Sequence, residues 1–226
     1  FSPDGKLFAS GDDLGAVKLW DTASGMPAPV TLKGHSARVT TLAFSPDGGT
    51  LASASTDGTT RLWRVADGRD LAKLGGPGKA GAVTSGMFDR EGMKLVFAAD
   101  GKTLYVADHD NGTDKIDPNG PKPKPGPMKI YAFPLGADGK VSGARQTIYD
   151  FGDQAGCDGM CVDADGNVYL TARGLKRPGV LVLNPQGKEV GFIPTGPANV
   201  SGTRVFRGCF RELRCWPATL RSTIPG

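Results

Sequence analysis

The chain has 226 residues, of which 38% are hydrophobic and 8% aromatic, enough for one large domain or two small ones with a real core. No run of about 18 apolar residues occurs, which excludes a membrane-spanning helix. The net charge of +4 is carried by residues 201–226 alone, with five Arg, one Glu and no Lys or Asp. Basic residues are therefore not spread along a face, as a nucleic-acid surface requires, and neither nucleic acid nor membrane is expected as a partner.

Gly (34) and Pro (17) are abundant without a collagen-like period, and many short segments alternate apolar with polar. That combination predicts all-β structure with frequent turns. The chain opens at Phe1, inside a repeated word, so its native N-terminus is expected to be missing. The absence of a signal peptide then says nothing of compartment, and localisation stays unknown.

The first elements in chain order form a repeat. Phe1-Ser2-Pro3-Asp4-Gly5 recurs as Phe44-Ser45-Pro46-Asp47-Gly48, Phe8-Ala9-Ser10 as Leu51-Ala52-Ser53, and Lys18-Leu19-Trp20 as Arg61-Leu62-Trp63. All three words share an offset of 43 residues (44 − 1, 51 − 8, 63 − 20). Pro-Asp-Gly predicts a tight turn, because Gly supplies the positive φ. Leu51–Ser55 predicts an alternating strand, Thr56-Asp57-Gly58 a turn, and Thr60–Trp63 the next strand. A weaker third copy includes Val83-Thr84-Ser85 and Phe88-Asp89-Arg90-Glu91-Gly92.

Residues 1–92 resemble WD40 repeats, whose period is about 40–45 residues. The resemblance implies β-propeller blades, each a four-stranded antiparallel sheet. It also implies that His35, Ser53, Asp57 and Trp63 form the hydrogen-bonded tetrad that braces such blades. There Asp accepts from one ring nitrogen of His, the other ring nitrogen meets Ser, and Ser meets the Trp indole N–H. In the earlier copy Leu14 stands at the place of Asp57 and Asp13 one position before it.

From Leu95 the words change. Leu95–Asp108 reads as strand, turn, strand, and a similar unit follows at Gly159–Leu170. Each leads to a further strand (Lys129–Phe133, Gly179–Leu183) and a polar turn (136–139, 184–187). The period is 64–65 residues (169 − 105 and 165 − 100). The extra length lies in Asn111–Met128, whose five prolines predict an extended solvated loop. Asp108–Gly112 lacks the Glu an EF-hand loop needs, since Pro118 stands there.

The words Ala99–Asp108, Cys157-Asp158-Gly159-Met160-Cys161-Val162-Asp163 and Gly166-Asn167-Val168-Tyr169 resemble the SMP-30/gluconolactonase/LRE family of propellers. The unit assigned to it is 93–200. Members hold one divalent cation, most often calcium, in the central channel and open sugar lactones or related esters. The cation polarises the carbonyl, and hard cations want oxygen ligands. The resemblance implies that Asp158 is a metal ligand and catalytic base, with Cys157 in place of the usual Pro. Asn199 resembles a family Asn near the channel, as a second candidate ligand. The family's Asn-Gly pair is replaced by Met93-Lys94, and its first-blade Glu falls where this chain has WD40 sequence.

After Val200 the turn words stop, and 201–226 reads as an irregular tail. A frame slip or a bad gene join would produce such a break, and a genuine Cys/Arg-rich tail is the alternative. The cysteine spacings (157/161 and 209/215) are too wide for a typical zinc pair. Residues 1–33, 34–75, 76–108, 129–160 and 161–199 suggest four or five blade-sized pieces, an incomplete or hybrid ring. Two functions follow. One is a metal-dependent hydrolase acting on a small-molecule lactone or ester. The other is a non-catalytic propeller that binds protein partners.

Overall fold

The structure, a computed structural model, describes residues 1–75, 94–109, 128–152, 157–172 and 179–194. They form fifteen strands in four antiparallel sheets. Blade one holds β1 (Leu7–Gly11), β2 (Val17–Asp21) and β3 (Pro27–Leu32). Blade two holds β4 (Val39–Phe44), β5 (Thr50–Ser55), β6 (Thr59–Arg64) and β7 (Asp70–Gly75). Blade three holds β8 (Lys94–Phe97), β9 (Thr103–His109), β10 (Met128–Pro134) and β11 (Gln146–Asp150). Blade four holds β12 (Cys157–Val162), β13 (Val168–Ala172), β14 (Gly179–Leu183) and β15 (Glu189–Pro194). No described helix is long and apolar enough to cross a membrane.

Each sheet meanders, so its strands stack in sequence order. The first strands lie side by side from blade to blade: β1 against β4, β4 against β8, β8 against β12. This is the arrangement of propeller blades around an axis.

The core sits between blades. Successive residues of a strand point to opposite faces, so alternation sorts each strand's side chains between two neighbours. On β9, Leu104 and Val106 pack with Ala52, Ala54 and Leu62 of blade two. Tyr105 and Ala107 pack instead with Val168, Leu170, Leu181 and Leu183 of blade four. On β5 and β6, Leu51 and Trp63 turn the other way, onto Val17, Leu19 and Leu32 of blade one. A middle blade is thereby buried on both faces, and β5 is buried throughout instead of showing the expected in–out alternation.

The same turns recur in both repeat families. Gly48, Gly101 and Gly166 close the first hairpin turns of blades two, three and four, and Gly5 closes the matching turn ahead of β1, all at positive φ. The turn before each last strand packs against the preceding blade's outer strand: Gly68 meets Val30, Gly139 meets Leu71, and Gly187 meets the Ile148 carbonyl.

One expectation is corrected. The pieces 76–108 and 129–160 are not separate blades. β9 and β10 pair without a break from Met128↔His109 to Pro134↔Thr103, so the proline-rich segment is an insertion inside blade three. Blade one, among the described residues, has three strands, in keeping with the expected incomplete ring. The 43-residue offset maps β1 onto β5, not onto β4. The third WD-like copy and the tail fall outside the described residues.

Candidate functional site

His35 stands just ahead of β4, Ser53 on β5, Asp57 in the β5–β6 turn and Trp63 on β6; the fold brings all four together. His35 Nδ1 lies 3.1 Å from Asp57 Oδ2 and 3.1 Å from Thr59 Oγ1. The Thr59 hydroxyl donates to Asp57 Oδ1 at 2.6 Å, and the Ser36 N–H donates to Oδ2 at 3.0 Å. An ionised carboxylate only accepts, so the network assigns the imidazole hydrogen to Nδ1. Nε2 then accepts from the Ser53 hydroxyl at 2.8 Å, and the same oxygen accepts from Trp63 Nε1–H at 2.8 Å.

Burial holds the His35 ring below its ordinary pKa, against the upward pull of Asp57. Burial pushes the Asp57 carboxyl up, but the Thr59 hydroxyl, the Ser36 N–H and His35 outweigh it and hold it below its ordinary value. The sequence reading missed Thr59, whose signal was a hydroxyl residue two positions after the aspartate. Arg61 adds a cap: its guanidinium lies 5.7 Å from the Trp63 ring centre and pairs with Asp70. A Cβ at Gly34 would sit 2.8 Å from that guanidinium.

Asp57, His35 and Ser53 have the connectivity of a hydrolytic triad. Ser53 is fully buried and its oxygen is engaged by the indole, so no carbonyl substrate reaches it. The arrangement ties the chain ahead of β4 to β5 and β6; it braces the blade.

Asp158 lies elsewhere, near the start of β12, the first strand of blade four. Register slips between Cys157↔Ala172 and Met160↔Leu170, so Asp158-Gly159 forms a bulge opposite Thr171. The Gly159 N–H donates to Thr171 Oγ1 at 2.7 Å, and the thiol of buried Cys157 lies 2.8 Å from the Gly159 carbonyl. Bulges re-aim side chains and occur beside active sites. The carboxyl group of Asp158 and all of Asn199 fall outside the described residues. The other end of β12 is a knot around Asp163, which accepts from the Asn167 backbone and side-chain amides and from the Tyr169 hydroxyl at 3.1 Å. Burial first, then the Asp163 charge, pushes the Tyr169 phenol up to about 12. The Gly166-Asn167-Val168-Tyr169 word thus builds a turn.

Among the described residues no three His, Cys, Asp or Glu side chains gather around a metal position. Lys94 begins β8, and Met93-Lys94 stand where the family's Asn-Gly pair is expected. A cleft of about 240 Å³ between blades two and three, lined by Asp47, Arg64, Phe97 and Asp138 among others, is a separate feature. Arg64 pairs with Asp67 and Asp138 with Lys140, while Asp47 accepts from the Ser45 hydroxyl and the Gly49 N–H.

Fold and turns define a β-propeller. A family model described as WD domain, G-beta repeat matches residues 1–21 and 28–64, and one described as SMP-30/Gluconolactonase/LRE-like region matches 94–208. The second match spans half of the chain: the protein belongs to the SMP-30/gluconolactonase/LRE-like family, with WD40 repeats on the N-terminal side of that region. Over 41 residues the chain is 51% identical to an uncharacterized WD repeat-containing protein of Nostoc sp.. That stretch is 18% of this chain and only 3% of that relative's length.

Proposed function

We propose that the SMP-30-like half carries the chemistry of this protein, the opening of a sugar lactone or a related ester at the bulged end of β12, around Asp158. One observation carries the reading. The Asp-Gly-Met word falls on a bulge of a first strand, in a region that matches the family over half the chain. A carboxylate there can take a proton from water as it attacks the lactone carbonyl carbon, and the ring C–O bond then breaks to give the hydroxy acid. A cation of the kind the family resemblance implies would be held by Asp158, with Asn199 as a second candidate, and would polarise the carbonyl.

The Met93-Lys94 pair in place of the family's Asn-Gly, and WD40 sequence in place of the blade with its Glu, favour a second reading, a non-catalytic propeller that holds a protein partner on its blade faces. Hydrolysis of glucono-1,5-lactone separates the two. The rate is followed by acid release with calcium, zinc, manganese or chelator, for the unaltered chain and for Asp158→Asn. Turnover above the buffer rate that falls at least about 100-fold in the variant supports the hydrolase, given the usual weight of a general base. A buffer rate with every metal, together with an unshifted melting temperature, leaves the binding propeller.

A further inference from the structure

The bulge that carries Asp158 is held by a side chain of the strand opposite. Between Cys157↔Ala172 and Met160↔Leu170, two residues of β12 face the single residue Thr171 of β13. A bulge interrupts the ladder, so its main-chain groups need partners from elsewhere. One hydroxyl supplies them: Thr171 Oγ1 accepts from the Gly159 N–H at 2.7 Å and donates to the Gly159 carbonyl at 3.3 Å. Cys157, 1% exposed in the core with Val168 and Leu170, anchors one flank, and Met160, packed against the same core, anchors the other. The tie from the facing strand is particular to this blade. In blade two the first strand also bulges, between Val39 and Thr41, but there the extra residue's own hydroxyl, that of Thr40, reaches the Ala54 carbonyl at 3.4 Å. In blade three, β8 and β9 pair without a shift from Lys94↔Ala107 to Phe97↔Leu104.

We infer that Thr171 is a positioning residue for Asp158 in the lactone-opening step; the inference rests on the hydrolase reading above. The Gly159 N–H belongs to the planar peptide unit that begins at the Asp158 Cα, so the bond to Thr171 sets the plane from which Asp158 projects. The Gly159 carbonyl belongs to the next unit, and one hydroxyl therefore holds two consecutive peptide planes. Gly has the widest φ/ψ freedom of any residue, so Gly159 is the point where an untied bulge drifts. A shift of about 1 Å in a reacting group costs on the order of 100-fold in rate.

The test compares hydrolysis of glucono-1,5-lactone by the full chain and by four variants, with calcium, zinc, manganese or chelator. Thr171→Val keeps the shape and removes the hydroxyl. Thr171→Ser and Thr171→Ala are a second pair that differs only by the hydroxyl, and Thr40→Val is the control bulge. The expected result is a kcat lowered about 10- to 100-fold in Thr171→Val and Thr171→Ala with KM little changed, and restored by Thr171→Ser. Exchange of the Gly159 amide hydrogen, read by NMR, speeds up in Thr171→Val and Thr171→Ala and slows again in Thr171→Ser, whereas Thr40→Val alters neither rate. Asp158→Asn is run alongside to separate the two readings. An unchanged kcat in Thr171→Val, with turnover lost in Asp158→Asn, leaves the hydrolase and overturns the positioning role. Equal losses in Thr171→Ser and Thr171→Ala, in step with their melting temperatures, overturn it too, because the residue then only supports the fold. A buffer rate for the unaltered chain with every metal removes the hydrolase reading and this inference together.

Discussion

Blades one and two are written in the same words and end in different environments. Phe8-Ala9-Ser10 and Leu51-Ala52-Ser53 occupy equivalent strands, and Trp20 and Trp63 make the same bond to serine. Yet β5 is buried along its whole length and β1 is not. β5 is paired on both edges, by β4 and β6, and lies between the cores shared with blades one and three. Burial here is a property of position in the array, and the energetic weight of one residue type differs between two copies of one motif.

The largest expected contrast is at the two tryptophans. Trp63→Ala empties a fully buried site and is expected to cost about 3–5 kcal/mol. Trp20→Ala, at a half-covered site, is expected to cost well under half of that. Urea unfolding followed by circular dichroism reads both, and equal losses would break the comparison.

The serines come next. Ser53→Ala leaves two buried ring nitrogens short of their shared partner and is expected to cost about 1–3 kcal/mol. Ser10→Ala strands one indole N–H that solvent can reach, for about 1 kcal/mol or less. Similar losses at both positions would mean that the histidine link adds nothing to blade two.

The smallest effect concerns acid. The His35 pKa is lowered by burial, so the unfolded chain binds the extra proton first as pH falls. Stability from this group is full above the ordinary value of 6.5 and declines below it, down to the depressed folded pKa. Asp57, also lowered, adds a second loss below its ordinary 3.8. His35→Gln is expected to flatten the first decline. The sharper form of the test follows individual indole resonances between pH 7 and 5, where that of Trp63 should weaken before that of Trp20. Parallel loss of both would show that the two blades open as one unit.

Much of this was legible in the chain. The Pro-Asp-Gly and Asp-Gly words mark turns because only Gly takes their positive φ cheaply, and Gly5, Gly48, Gly101 and Gly166 all adopt it. The tetrad residues were legible because their spacing repeats a known blade. Thr59 was not, since a threonine after Asp-Gly is also an ordinary strand opening. Splitting blade three in two was the natural misreading of the proline-rich insertion: a long polar segment looks like a boundary, whereas pairing across it is non-local. The bulge at Asp158-Gly159 was equally hidden, because one extra residue in a ladder is defined only by the strand opposite.

What the sequence by itself determined is the local grammar: all-β strands of about six residues, the turns between them, the 43-residue repeat, and two propeller families in one chain. These follow from steric limits on φ and from side-chain alternation, which act over a few residues. Tertiary structure alone decided that 94–109 and 128–150 share one sheet and that each core lies between blades. It also decided that a serine and a tryptophan are sealed in blade two. Those outcomes depend on which strand lies beside which, and edge pairing is set by the array of blades, beyond the reach of any single segment.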